Sequence, residues 1–545
     1  MKKFYLISLV CAAMMFVSCG KKATLENSIP NDAVMVMRFD VKSMIAKSEY
    51  NLFDNQLIKV AVEGMKLALK EPQKNLLDNF LKDANSFGIN IKGDAYLYMN
   101  EQVMGILLSV NDAKKVFENL KTIDPSFEMS ITQEKGVYSI GLGGQKIAWD
   151  KEKMMFLINY AQYLGVNQEE IDYFNLPKSK SIVSDVNYQK FAKTKGDISL
   201  YYSMANYANF MKNFANLGGG QDPKVQEMMD KVMTIYENFG GVSVALNCNF
   251  EKGKIVASAQ TLYATKEDEK RFAEIYDYSG AKLTGEFLKY IPQNPLFLAA
   301  MNFDGEKVFA MLEKIGLISF FDEMLTEIDE DMELELDYKA LIKSINGDIM
   351  MSFYNGNLTN EAFTAAGSMF VKLKDVAPMQ TLIDTINASG IGEVKDMPVP
   401  VDFGIKDDFF YIVMKGGLVE KENDLVKKIK NQPMFIYGDL SDLNEILKPL
   451  YEKDADLKMF AGIIGKGLTL VETYESKYID NNKGEFVINF TDKKENSLKQ
   501  IFGFIDEIVN SAGSIFGSSL FGGSKNYDDD DYDDDEEEDE VDFEF

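Results

Sequence analysis

The sequence predicts an α+β fold: a tandem duplication of a unit made of an antiparallel sheet and helices, followed by a disordered acidic C-terminal tail. Short segments alternate polar and apolar residues between turns rich in Gly, Asn and Asp, as antiparallel strands do. Several segments recur in the same order in two halves of the chain, which indicates a duplication. The 545 residues also exceed the roughly 250 to 300 at which a single core stops growing.

The N-terminus predicts a lipoprotein signal peptide over residues 1–18. Lys2 and Lys3 form a basic start, and a charge-free apolar run leads to small residues just before Cys19. That run is shorter than the roughly 20 residues needed to span a bilayer, so cleavage before Cys19 and attachment of palmitate-type chains to its thiol is the simpler interpretation. Residues 19–28 would then be a lipidated linker.

The two halves are predicted as domains 29–275 and 276–515. The first half opens with IPNDAVMVMRFD (29–40), and IPQNPLFLAAMNFD (291–304) repeats its Ile-Pro start, apolar strand and Phe-Asp end. Further pairs follow in the same order, namely 93–98 with 347–354, 105–120 with 368–383, 135–142 with 395–405, 196–202 with 432–438, and the hairpin turns 251–254 with 482–485. The shared order of these segments strengthens the case for duplication, because chance similarities would not recur in the same order in both halves.

Within each half we expect strand, helices, antiparallel strands, helix, strand, helix and a closing hairpin, with the helices on one face of the sheet. Asp40 is placed to cap a helix from Val41, and Pro72 should break or kink its helical run. Helices are predicted at 55–86, 187–194, 204–216, 223–238, 306–315 and 496–510, and Gly218–Gly220 as a flexible joint. The Gly-rich segments 141–144 and 462–467 are interpreted as turns, because neither has the spacing of a phosphate loop.

Half of the net charge of −28 lies in the tail, because residues 528–545 contain 14 acidic side chains and no basic one. Residues 516–545 are therefore predicted to be disordered, first Gly/Ser-rich and then acidic. The acidic balance argues against nucleic acid as a partner and against electrostatic docking on anionic lipid. The tail is either a solvated, solubilising segment or a docking arm, in which Val541, Phe543 and Phe545 would form one edge of a strand added to a partner.

The composition excludes most catalytic classes. The chain has no histidine, which excludes Ser-His-Asp and Cys-His nucleophiles and imidazole metal sites. After processing, Cys248 alone would remain, in the alternating strand pattern 242–248, where we interpret it as an ordinary strand residue. We therefore expect no enzyme activity, metal or cofactor. A hydrolase that uses carboxylates alone stays open, although no pair of acids can be chosen among so many.

A lipoprotein start followed by Ile29-Pro30, Asp32-Ala33, an apolar strand and Asp40 resembles an uncharacterised lipoprotein family of the Bacteroidetes cell envelope, a domain of unknown function. The resemblance implies placement at the outer membrane and no particular activity. Surface-exposed members of that group resemble one another in an acidic stretch after the lipidated cysteine. The lysines at positions 21 and 22 depart from it, which favours the periplasmic side. The segment around Thr385, Asp-Thr-Ile, resembles an O-glycosylation acceptor of that envelope.

The sequence thus favours a lipid-anchored, non-enzymatic module that binds or scaffolds another envelope component, with a protein partner; it does not indicate whether a small-molecule ligand binds. The first alternative is a periplasmic carrier that holds lipid or glycan in the cleft between the repeats. The second is the carboxylate-only hydrolase. Tyr96 and Tyr98 on one strand face, and Tyr201, Tyr202 and Tyr207 at a strand-to-helix junction, suit sugar stacking but more often pack a sheet.

Overall fold

The computed structural model describes residues 25–516 except 50–58, 60, 61, 65, 68, 91, 142, 143, 161–170, 218–232, 234, 235, 237, 238, 277–281, 315, 319–336, 355–357, 360, 361, 364, 365, 389–400, 415, 416, 454, 459 and 481. Several predicted features lie outside the described residues: the signal peptide, Cys19, glycines 218–220, most of the helix at 223–238, and the tail with Val541, Phe543 and Phe545. None of the helices described is both long enough and apolar enough to cross a membrane.

Strands and helices alternate along the described chain, which confirms the α+β class. The strands are β1 (Met35–Asp40), β2 (Asp94–Met99), β3 (Val103–Ser109), β4 (Thr132–Glu134), β5 (Val137–Gly141), β6 (Gln145–Trp149), β7 (Lys153–Asn159), β8 (Ile198–Ser203), β9 (Val242–Glu251), β10 (Lys254–Tyr263), β11 (Phe297–Asp304), β12 (Ile345–Tyr354), β13 (Leu358–Thr359), β14 (Ala362–Phe363), β15 (Ala366–Leu373), β16 (Val401–Lys406), β17 (Phe409–Met414), β18 (Met434–Asp439), β19 (Val471–Asp480) and β20 (Lys483–Phe490). The α-helices are α1 (Val41–Ser48), α2 (Glu71–Lys82), α3 (Ala113–Ile123), α4 (Phe127–Ser130), α5 (Val186–Phe191), α6 (Met204–Leu217), α7 (Lys266–Tyr276), α8 (Gly305–Lys314), α9 (Tyr338–Ser344), α10 (Ala377–Ala388), α11 (Val426–Ile429), α12 (Leu443–Lys453), α13 (Ala455–Lys458), α14 (Ala461–Leu468) and α15 (Ser497–Phe516).

Within the described part of the chain, one antiparallel sheet of 18 strands runs through both halves. Its order is β4-β5-β6-β7-β3-β2-β1-β8-β9-β10-β20-β19-β18-β11-β12-β15-β17-β16. The stretch β7-β3-β2-β1-β8-β9-β10 has the same connectivity as β17-β15-β12-β11-β18-β19-β20. The equivalent last strands, β10 and β20, pair with each other and join the halves. This repetition agrees with a tandem duplication, whereas the domain bounds remain a prediction.

Local signals in the sequence set the helix starts. Asp40 Oδ1 accepts a hydrogen bond from Ser43 N at 2.9 Å, which confirms the predicted cap. The equivalent Asp304 accepts from Lys307 N at 3.2 Å at the start of α8. Pro72 lies in the first turn of α2, where its missing N–H costs nothing, so the break expected there is a helix start.

Strands β2 and β3 of the first half are covered on both faces, so the expectation of cover on one face only is wrong for this part of the sheet. Successive residues of β2 belong to different cores: Ala95 and Leu97 pack in a core with α1 to α3, whereas Tyr96 and Tyr98 pack with the segments 25–34 and 171–191. Strand side chains alternate between faces, and β3 reads VMGILLS without polar alternation. Such a run is typical of a strand buried on both sides.

The Gly-rich segment 462–467 lies in α14 and is not the predicted turn. Its helical bonds include Ile464 N to Phe460 O at 2.9 Å. A Cβ at Gly467 would lie 2.7 Å from the Phe504 ring of α15, so glycine here allows two helices to approach closely. The hairpin turn between β19 and β20 agrees with the prediction for that segment.

Candidate functional site

Asp197 forms a buried charged cluster with Lys47. Its carboxylate accepts hydrogen bonds from Lys47 Nζ at 2.7 Å, Ser43 Oγ at 2.6 Å and Phe250 N at 2.6 Å. Its side chain is 2% exposed. The nearby Cys248 thiol has a raised pKa, first because it is buried and then because Asp197 is negative. The cluster therefore ties α1 to β8 and β9, and the thiol stays protonated.

Ser28 and Lys153 form a Ser–Lys pair that sequence spacing could not select. Lys153 Nζ donates to Ser28 Oγ and to Phe174 O, both at 2.6 Å, and Ser28 Oγ donates to Phe174 O at 2.9 Å. Burial lowers the pKa of Lys153, which suits a base. However, Ser28 is 0% exposed and its proton is engaged with a carbonyl. The pair therefore ties the segment at Ser28 to β7 and to the backbone of Phe174, and the serine hydroxyl is closed to a substrate.

Carboxylates elsewhere are similarly engaged. Asp348, 1% exposed, accepts from Thr284 N and Oγ1, Gly285 N and Asn302 Nδ2 at 2.7 to 2.9 Å. Within the described ranges no group of three or more Cys, Asp or Glu side chains is arranged to hold a metal ion. Asp197 and Asp348 are therefore both held by hydrogen-bond donors of the fold itself.

The tyrosines singled out by the sequence mostly pack. Tyr96, Tyr98 and Tyr201 are at most 5% exposed, and Tyr96 donates its hydroxyl proton to Glu26 at 3.1 Å. Tyr202 and Tyr207 lie against each other, with ring centroids 5.3 Å apart. No open stacking platform is formed by the three buried rings.

Thr385, the predicted glycosylation residue, lies in α10. Its hydroxyl donates to the carbonyl of Thr381 at 2.9 Å and its side chain is half-buried. Its modification stays a prediction.

One face of the sheet carries a row of apolar residues across the junction of the halves. Tyr478 pairs with Gly484, Gly484 with Ala259, and Ala259 with Leu246. Residues directly opposite in antiparallel strands point to the same face. Leu246 is 39% and Tyr478 38% exposed, and Ala259 is exposed, so the row is open to solvent.

The row continues into the second half. The β18–β19 pairs end at Tyr437 with Glu475, and the same register continued by three residues brings Met434, 53% exposed, level with Tyr478. Met434 pairs in turn with Met301. Met351 and Phe353, 38% and 40% exposed, lie on the same face of β12. We call this set the apolar strip: Leu246, Ala259, Tyr478, Met434, Met351 and Phe353.

The apolar strip has a shallow depression at its centre. A Cβ added to Gly484 would meet only Lys477 O, at 3.6 Å, so Gly484 and Ala259 form a low floor between Tyr478 and Leu246. Strands are about 4.8 Å apart, which makes that floor about 10 Å wide. Methionine side chains adapt to irregular apolar partners, and contiguous exposed apolar residues mark interaction sites. The arrangement suits binding of an apolar group.

One family is matched by the chain. The sequence model described as "Domain of unknown function (DUF4836)" matches residues 25–439. The chain belongs to the DUF4836 family. This confirms the expected membership of an uncharacterised family. No curated protein and no solved structure matches the chain.

The match to the DUF4836 family ends at the last residue of β18. The apolar strip of this DUF4836 protein therefore draws Leu246, Ala259 and Met434 from the matched part, and Tyr478 from the hairpin beyond it. The apolar strip was not predictable from the sequence, because each member has the pattern of an ordinary strand residue. Only the pairing of β10 with β20 makes them neighbours.

Proposed function

We propose that this DUF4836 protein is a non-enzymatic lipoprotein, anchored through Cys19 on the periplasmic side of the bacterial outer membrane, whose apolar strip binds another envelope protein. The observation that carries the binding role is the apolar strip itself. Six exposed apolar side chains lie on one face of the sheet, across the β10–β20 strand pair that joins the two halves.

The polar chemistry of the chain supports binding over catalysis. The chain has no histidine, and the two most suggestive clusters, Ser28–Lys153 and Asp197–Lys47, are closed by their own hydrogen bonds. A catalytic group must be reachable by the substrate. Support for the anchor comes from the basic and apolar residues that precede Cys19.

A protein partner fits the shape of the apolar strip. The strip crosses β9, β10, β20, β19, β18, β11 and β12, about 30 Å at the usual strand spacing. Specific interfaces bury about 800 Å² on each partner, with apolar residues at the centre and polar ones at the rim. Acidic residues in the first turn of α7 (Glu267, Asp268 and Glu269) and Asn482, which donates to Glu269 at 3.3 Å, provide a polar rim.

The lipid-carrier alternative is favoured by the central depression. Its floor of Gly484 and Ala259 lacks a side chain that could donate or accept a hydrogen bond, which suits an acyl chain. A glycan would need such groups.

The deciding experiment is cross-linking pull-down from the native envelope with a strip variant, Leu246→Ser with Met434→Ser, followed by mass spectrometry of proteins and lipids together. Both side chains are substantially exposed, so the variant should fold. Met129→Ser is the matched control, because Met129 is 91% exposed and lies outside the strip. Loss of a protein partner only in the strip variant supports the proposal. Equal recovery of the partner with wild type, the strip variant and the Met129→Ser control contradicts the proposal. Loss of a bound lipid alone favours the lipid-carrier alternative.

The anchor needs its own experiment. Cys19→Ser should abolish incorporation of labelled palmitate and release the protein from the membrane fraction, with Cys248→Ser as control. Turnover that depends on a particular pair of carboxylates would contradict the non-enzymatic proposal.

A further inference from the structure

Five exposed lysines lie at one end of the first half's sheet, on a chain whose net charge is −28. We call this set the lysine cluster: Lys42, Lys193, Lys195, Lys252 and Lys494. They come from four separate segments: the start of α1, the loop before β8, the turn between β9 and β10, and the loop before α15.

Backbone hydrogen bonds bring those segments together. Asp40 N donates to Asp197 O at 2.8 Å, which joins the start of α1 to the start of β8. Phe250 N donates to the Asp197 carboxylate, which joins the end of β9. Gly253 N donates to Glu495 O at 2.9 Å, which places Lys252 and Lys494 side by side. The lysine cluster is therefore fixed by the fold.

The acidic groups around the lysine cluster already have partners. The pairs are Asp197 with Lys47, Glu49 and Glu495 with Lys499, Glu251 with Lys254, and Glu472 with Lys493. Asp40 and Asp492 accept backbone N–H groups of Ser43 and Lys494. In contrast, none of the five lysines forms an ion pair with another residue in the described part of the chain. The nine lysines named at this end exceed the seven carboxylates named there by two, so this end of the sheet carries a net positive charge although the chain as a whole is acidic.

We propose that the acidic segment 528–545 of the same chain docks on the lysine cluster. This inference goes beyond the proposed function and does not depend on it. The segment carries 14 acidic side chains and no basic one, so it complements five unpaired lysines and is repelled by the acidic remainder of the surface. Docking would hold the segment against the fold until a partner with a denser basic surface competes for it.

The chain is long enough for this contact. Helix α15 begins beside Lys494 and has 20 residues, which is about 30 Å at 1.5 Å per residue. Residues 517–527 are an 11-residue Gly/Ser-containing connector, which can span at most about 35 to 40 Å. The acidic segment can therefore return along α15 to the lysine cluster.

The contact should depend strongly on salt. Opposite charges on exposed side chains are screened over about 8 Å at physiological ionic strength and about 3 Å at 1 M. Attachment through a short connector compensates with an effective concentration in the millimolar range. Docking should therefore be present at low salt and absent at 1 M.

Lysine acylation read by mass spectrometry tests the proposal on the full folded chain and on a variant that ends at residue 526. Lys178 and Lys180 are the matched control, because they are exposed, have no ion pair within the described residues, and lie by Asn31 at the opposite end of β1. In the full chain at low salt we expect the lysine cluster to react about threefold or more slowly than in the truncated chain, and the difference to vanish at 1 M salt. The control lysines should react equally in both.

A zero-length carbodiimide cross-linker separates the remaining outcomes. Cross-links from residues 528–545 to the lysine cluster within one molecule support docking. Cross-links mainly to Lys178 or Lys180, cross-links only between molecules, or equal acylation rates with and without the tail would each overturn it. The tail variant removes no described residue, so misfolding cannot explain a change in reactivity.

Discussion

Val256 of β10 and Val487 of β20 are paired across the junction of the two halves. They are 231 positions apart, the same separation as between the Lys-Gly turns at 252–253 and 483–484. Equivalent residues of the two halves thus face each other. The pairing is symmetric about them: Lys254 lies opposite Asn489, and their equivalents Glu485 and Ser258 also lie opposite each other. This is the arrangement of a symmetric dimer interface, in which one surface meets its own copy, built within a single chain.

The central pair should stabilise both halves together. Val487 is 6% exposed, and Val487→Ala removes two buried methyl groups, so we expect a loss of about 2 kcal/mol of unfolding free energy. Val419→Ala is the control, because Val419 is 53% exposed and should change stability by no more than about 0.5 kcal/mol. Urea denaturation measures both. Two separate unfolding transitions, of which the variant shifts only one, would show that the halves unfold independently.

The Asp197 cluster predicts strong energetic coupling. Asp197→Ala leaves Lys47, Ser43 and Phe250 N without their acceptor, at a cost of about 3 kcal/mol. Lys47→Met leaves a carboxylate that is 2% exposed without its counter-ion. The double variant should therefore lose less than the sum of the two single losses. Additive losses in the same denaturation experiment would mean that the two side chains do not stabilise each other.

Lys153 predicts a pH-dependent stability. Its pKa is lowered in the folded protein, first by burial, so the folded state binds fewer protons than the unfolded state between that value and the ordinary 10.5. Stability therefore rises with pH in this window. Lys153→Met should remove that rise, so the difference in unfolding free energy between wild type and variant should move in favour of wild type as the pH approaches 10.5. A difference that is constant from pH 7 to 10.5 would be inconsistent with a lowered pKa.

Tyr263 predicts the opposite dependence at higher pH. Its hydroxyl donates to Asn482 Oδ1 at 3.0 Å, which links the two halves, and burial raises its pKa to about 12. The stability it contributes is complete below the ordinary value of 10 and is lost as the pH rises through about 12. Tyr263→Phe should cost about 1 kcal/mol at neutral pH, and this cost should disappear between pH 10 and 12. Asn482→Ala, which removes the acceptor, should lose a similar amount at neutral pH.

Much of the local structure follows from the sequence. The alternation of 242–248, the Asp40 cap and the break at Pro72 each depend on a few adjacent residues, and each appears in the structure where the sequence places it. The Ser28–Lys153 pair, the Gly467 contact with Phe504 and the apolar strip were not predictable in this way. Ser28 and Lys153 are 125 residues apart, Gly467 and Phe504 are 37 apart, and the strip residues come from distant strands. Contacts over such separations leave no local pattern in the sequence.

The sequence by itself determined the α+β class, the order of strands and helices, the recurrence of the two halves and the absence of histidine chemistry. These depend on propensity, periodicity and composition, which act over short stretches of chain. The tertiary structure alone decided that β10 and β20 pair into one continuous sheet, that β2 and β3 are covered on both faces, and that exposed apolar residues of five strands lie on one face. Strand pairing decides those features, because a residue's neighbours across a sheet are set by register between distant segments.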